Sequence, residues 1–141
     1  MRRVIVESPY RGNFWQRWRN RRYARAAMHD CIRRGEAPFA SHLLYTQRGV
    51  LRDHVESERK RGILAGFAWG AQAHAVVVYE DYGISDGMRI GIRRAKDIGM
   101  PVEYRSLRGV SLSVADREAH APSLATDKGP ENGSYPKSLA H

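Results

Sequence analysis

The run AHAVVVYE, residues 73–80, places the first constraint on this chain. A continuous apolar, β-branched run of this kind is a strand covered on both faces, since a strand with one wet face alternates apolar and polar positions. Helical patterns stand on either side of it. Residues 56–73 carry an apolar face of Ile63, Leu64, Phe67 and Ala68, and residues 85–98 form a second helix stopped by Gly99. A strand buried on both faces and flanked by helices calls for a layered α/β domain.

The rest of the chain extends the pattern. RVIVESPY reads as a strand that stops at Pro9, which cannot donate to a ladder. RGNFWQRWRN reads as a loop, with Asn20 as the N-cap of a helix over residues 21–34. In that helix Tyr23, Ala27 and Cys31 recur every fourth position, and Gly35 ends it. APFASHLLY is a second strand, TQRGVLRDHVES a loop, and MPVEYRSL a fourth strand. The order β-α-β-α-β-α-β predicts a three-layer, Rossmann-like α/β domain. Its sheet is mainly parallel, of about four to five strands, with right-handed crossovers. The domain is expected over residues 1–108. Residues 109–141, which include the Pro-, Gly-, Ser- and Asn-rich HAPSLATDKGPENGSYPKSLAH, are expected to be a disordered tail.

Composition removes several function classes. One cysteine, Cys31, allows no internal disulfide and no zinc cluster, and it falls on the buried stripe of its helix. His29, His54 and His74 show no ligand spacing, so no metal is expected, and no cofactor. No apolar run is long enough to cross a membrane, and MRRVIVESPYRG is too short in its apolar part for a secretion signal. A cytoplasmic setting with no membrane partner is the expectation. The net charge of +9 is unevenly spread: residues 1–34 hold ten arginines against Glu7 and Asp30. Such a field attracts phosphates, whether on a nucleotide or on nucleic acid. Within it, NFWQRWRNRRY interleaves Phe14, Trp15, Trp18 and Tyr23 with arginines. Segment 11–25 is therefore open to two readings, a nucleic-acid-binding surface or a loop pinned by its tryptophans.

In an open parallel sheet, ligands bind beyond the carboxyl ends of the strands. That rule gathers Glu7, Ser8, Pro9 and Tyr10 from the first strand, and Ser41 and His42 from the second. The third contributes Glu80 and Asp81, followed by Ser85, Asp86, Gly87 and Met88 at a helix start. Ser85 or Asp86 can cap that helix, and Gly87 lets a ligand approach free N–H groups that favour an anion. The competing reading is a capped helix whose glycine serves packing. His42 suits acid–base work near neutrality, or is a satisfied edge histidine. Neither GxGxxG nor GxxxxGK[ST] is present. Gly62, Gly66 and Gly70, and then Gly87 and Gly91, repeat at spacing four. That spacing points first to close helix–sheet packing, then to a homo-oligomer built through these helices, then to a ligand.

VIVESPYRG, RYARAAMHDCIRRGEAPFASHLLYTQRGVL, ERKRGILAGFAWGAQAHAVVVYEDYGISDGMRIGI and PVEYRSL together resemble a small uncharacterised domain of phage and bacterial genomes. That domain is similar to the nucleoside 2-deoxyribosyltransferase-like group of Rossmann-like proteins. The resemblance covers about residues 3–107. It implies a nucleotide, nucleoside or related ribosyl ligand, with Ser8 and Pro9 forming the pocket-lining turn after the first strand. Ser85, Gly87 and Met88 match the small-residue turn before the third helix. The transferases carry a nucleophilic glutamate one turn further along, and here that slot is Gly91. Glycine cannot form a glycosyl intermediate. Either another carboxylate takes the role, with Glu7 and Asp81 the first candidates beside Glu80 and Asp86, or the domain binds without cleaving.

Overall fold

A computed structural model describes residues 1–109, so the expected tail lies, from residue 110 onward, outside the described residues. β3 (Ala75–Tyr79) is buried at every position, as its unbroken apolar run requires. With β1 (Arg2–Glu7), β2 (Glu36–Phe39) and β4 (Val102–Arg105) it forms a four-stranded sheet in the order β2-β1-β3-β4, every pair parallel. The expected α/β layering is therefore present. Strand alternation divides the core in two. Val4 and Val6 of β1 join Ala75, Val77 and Tyr79 of β3 beneath Tyr23, Ala27 and Cys31 of α1 (Phe14–Arg33). On the opposite face Ile5, Val76 and Val78 meet Met88, Ile92 and Ala95 of α4 (Asp86–Asp97).

Three local expectations are corrected. The segment 11–20 is not a loop: α1 starts at Phe14, because Asn13 and Gln16 close a capping box at 3.0 and 2.8 Å. Asn20 is therefore no cap. It is buried inside α1, where its Nδ2 donates to the Arg11 carbonyl at 3.2 Å. The second strand is shorter than expected and ends at Phe39; Ser41–Leu44 turn into the short helix α2, with Leu43 and Leu44 N–H groups on the Ala40 carbonyl. Pro38 is tolerated in β2 because β2 is an edge strand. Finally, α3 (Glu56–Gly70) buries only Gly66. Of its expected apolar face, Leu64 stands 59% exposed, whereas Ile63 and Phe67 turn toward the sheet across a cavity.

The α1 side of the sheet is closed by an ionic network. The Arg105 guanidinium of β4 donates to both Glu36 oxygens of β2, at 2.7 and 2.8 Å, and to Glu103 at 2.7 Å. Arg2 donates to Glu36 at 3.0 Å and also to Glu103. Arg105 and Glu36 are nearly inaccessible, with side chains 10% and 7% exposed. Hydrogen bonds, from Arg105 above all, hold the Glu36 carboxyl below its usual range, and those led by Arg2 bring Glu103 down to about 2. Removing one partner of such a pair strands a buried charge. Glu36→Ala should therefore cost about 3 kcal/mol or more, read as a lower urea midpoint, while Glu36→Leu combined with Arg105→Met should recover much of that loss.

Candidate functional site

The sheet order creates the site. From β1 the chain leaves through α1 on one face to reach β2; from β3 it leaves through α4 on the other face to reach β4. The loops after β1 and β3 thus diverge, and a crevice opens between their carboxyl ends. A cavity of about 320 Å³ lies there and continues between α3 and α4 above Ile5 and Val76. Its upper end is polar, lined by Glu7, Ser8, Tyr10, Ser41 and His42. Its lower end is apolar, with Ile63, Phe67, Ile90, Ile98 and Met100.

Glu7 ends β1 with its carboxyl group laid on α4 at Gly91. A Cβ built on Gly91 would lie 2.6 Å from the Glu7 carboxyl carbon and overlap one of its oxygens, so only glycine leaves room for this carboxyl group. Glu7 is only partly screened from the cavity, yet protein surrounds it so closely that desolvation pushes its pKa up to about 8. Neither a salt bridge nor a hydrogen bond compensates it among the described residues. Next along the strand, the buried Ser8 hydroxyl sits 2.8 Å from His42 Nε2, and the tautomer decides which atom donates. Burial lowers the His42 pKa to about 4, so the imidazole is neutral at pH 7. Tyr10 meets the same ring edge-on at 6.0 Å.

Across the cavity, α4 begins at its N-cap Ser85, whose Oγ accepts from the Met88 N–H at 3.4 Å. Gly87 lies in the first turn, and the Arg59 guanidinium of α3 would lie 3.7 Å from a Cβ placed there. A helix N-terminus and a guanidinium thus face one edge of the cavity, a pairing that favours an anion. Asp53 orients Arg59 at 3.7 Å and Arg11 at 3.3 Å.

The structure thus brings together Glu7, Ser8, Tyr10, Ser41, His42, Ser85, Asp86, Gly87 and Met88. Pro9 is buried and does not line the cavity. Asp81 is elsewhere. Its carboxylate accepts from Tyr23 Oη at 2.5 Å, from Leu107 N at 2.8 Å, from Arg108 N at 3.4 Å and from Ser106 Oγ. Although desolvation opposes it, this set of donors holds Asp81 below its usual range, which suits a strut between β3 and the chain after β4. Glu80 is buried and likewise off the cavity wall.

Arg11, Asp53 and Arg59 also line the cavity, although the strand-end rule does not gather them. The spacing of Arg59, Ile63, Phe67 and Gly70 along one face of α3 is the signal that groups Arg59 with the apolar wall. The glycine repeat has mixed causes. The missing side chains of Gly62 and Gly66 make room for Leu51 and Ser41, and that of Gly91 for Glu7.

The site is therefore a strand-end crevice of a doubly wound α/β domain, with one uncompensated carboxyl group and one helix start beside the Arg59 guanidinium. Residues 2–105 match a family described as a domain of unknown function (DUF7768), and the chain belongs to that family. No curated protein and no solved structure matches.

The two shifted groups give opposite pH dependences. Glu7 is raised from 4.5 to about 8, so the folded state keeps a proton that the unfolded chain loses, and stability falls as pH rises across that interval. His42 is lowered from 6.5 to about 4, so stability rises with pH over that range. The effects oppose one another below pH 6.5 and Glu7 acts alone between 6.5 and 8. In that upper window the unfolding free energy should drop by at most roughly 1.4 kcal/mol per pH unit, and Glu7→Gln should flatten the slope in urea titrations.

Proposed function

We propose that this chain binds a nucleotide, nucleoside or related ribosyl ligand in the crevice between the ends of β1 and β3. The observation that carries this reading is the division of the cavity itself. An anion-favouring edge at Arg59 and the start of α4 lies beside hydroxyl-binding groups at Glu7, Ser8 and His42, and these adjoin an apolar recess. A phosphate or sugar oxygen suits the first, ribose hydroxyls the second, and the flat face of a base the third. The resemblance to the nucleoside 2-deoxyribosyltransferase-like proteins supports the same ligand class. A cytoplasmic setting, where such ligands abound, belongs to this proposal; no described helix is long and apolar enough to cross a membrane.

One observation favours a second, catalytic reading. The slot where the transferases carry their glutamate is Gly91, and the carboxyl group that fills the space over Gly91 is that of Glu7. A carboxylate supplied by β1 instead of α4 would reach a sugar C1′ from the same place. With a pKa near 8 it is largely protonated at neutral pH and is suited to donate a proton to a departing base. In its ionised form it is suited to attack the sugar.

Thermal unfolding with a panel of nucleosides and nucleotides tests the binding reading. A true ligand at about 100 times its Kd adds roughly 2.7 kcal/mol, a shift of roughly 10 °C or more for a domain of this size. Arg59→Gln should remove the shift for phosphorylated ligands more than for nucleosides. No shift across the panel would sink the reading. Release of free base, retained in Ser85→Ala and lost in Glu7→Gln with ligand stabilisation intact, is the outcome the catalytic reading requires.

A further inference from the structure

The strongest unassigned feature lies across α2 from the crevice, the two sharing Thr46. A broad groove of about 950 Å³ runs between the outer flank of α1 and the β2–α2 segment, reaching the loop that follows α2. Four arginines line it: Arg21, Arg22 and Arg25 from α1, and Arg48 from the loop. No carboxylate lines it. None of the four forms an ion pair or hydrogen bond with another described residue, whereas Arg2, Arg11, Arg34, Arg52, Arg59 and Arg105 are all paired with carboxylates. Arg33, Arg61 and Arg93 likewise form no ion pair among the described residues, but Arg21, Arg22, Arg25 and Arg48 share one groove.

That surface also carries an aromatic. Trp18 is 48% exposed on the groove wall, and the Arg22 guanidinium lies 4.8 Å from its ring centre. Trp18, Arg21 and Arg25 follow one another at helical spacing, so the capping box at Asn13 that starts α1 early is what aligns them. Had segment 11–20 been a loop, the tryptophan would have no fixed relation to the arginines. Its apolar lining includes Met28, Phe39, Leu43 and Leu44.

We propose that this groove binds single-stranded nucleic acid, its phosphates on Arg21, Arg25 and Arg48 and a base stacked on Trp18 beside Arg22. The chemistry selects the occupant. Unneutralised guanidinium groups call for a polyanion, and an indole among them calls for a partner with π faces interleaved with its charges. A duplex keeps its bases stacked away from such a ring. A bilayer is flat and does not enter a concave groove, and an acidic peptide offers carboxylates without the stacking surface. The groove and the strand-end crevice flank the same short helix but draw their charged residues from different elements.

The test is fluorescence anisotropy of a labelled thymidine oligonucleotide titrated with the full chain over a salt series. Three phosphate contacts predict a slope of log K against log salt of about −2.1, at about −0.7 per contact on a single strand. Arg21→Gln with Arg25→Gln should reduce that slope by about 1.4. Trp18→Ala should weaken binding by about 5- to 150-fold while leaving the slope nearly unchanged, since it removes stacking and not charge. All three side chains are away from the buried core, and unaltered circular dichroism and urea midpoints will verify that the variants fold. Absence of oligonucleotide binding overturns the proposal. So does a salt slope unmoved by the double arginine variant, equal affinity for duplex, or binding confined to anionic lipid vesicles.

Discussion

The contact on which the rest of this fold depends is the double hydrogen bond from Arg105 to Glu36. It links β4 to β2, the two outer strands, which are only four residues long and too short to hold their own register securely. A buried ion pair contributes little net stability by itself, since both charges must first leave water. Its value here is geometric. Arg2 and Glu103 complete the set of donors and acceptors, so that the α1 face of the sheet has one satisfied arrangement. With that face fixed, the other is free to remain incompletely packed. The cavity between α3 and α4 lies on that second face, and α3, with one buried residue in fifteen, leans on it rather than sealing it.

The division of labour between carboxylates follows from the same asymmetry. Asp81 and Glu7 both stand at the ends of central strands, yet they meet opposite environments. Asp81 faces the closed side and is saturated by donors from Tyr23 and from residues 106–108. Glu7 faces the open side and receives none from the described residues, so desolvation dominates. Two acidic residues that look equivalent in the strand-end sequences are thereby separated into a structural strut and an uncompensated carboxyl group.

This contrast shows what the sequence could reveal. The unbroken apolar run of β3 was enough to imply a sheet covered on both sides, and the strand-end rule then collected nine of the residues that line the crevice. Those are local signals: periodicity, a cap, a proline. The charge state of Glu7 depends on Gly91, far along the chain, and the role of Asp81 depends on residues after β4. Neither dependence leaves a mark in the neighbouring sequence. The start of α1 was legible in principle, because Asn13 and Gln16 stand at capping-box spacing. The tryptophans and arginines between them and Asn20 gave the segment a loop-like composition that hid it.

The early start of α1 also has a mechanical side. At 20 residues the helix is about 30 Å long, whereas the six residues of β1 span only about 20 Å. The buried positions of α1 run from Asn20 to Cys31, so its first turns overhang the sheet like the free end of a beam. Besides the helix ladder, that end is fastened by the capping box, by the bond from Asn20 to the Arg11 carbonyl, and by the Arg17 and Arg19 guanidiniums over the Tyr10 and Tyr82 rings. It forms a small cooperative unit, able to open without disturbing the sheet, and its amides should exchange with solvent ahead of those that follow Tyr23.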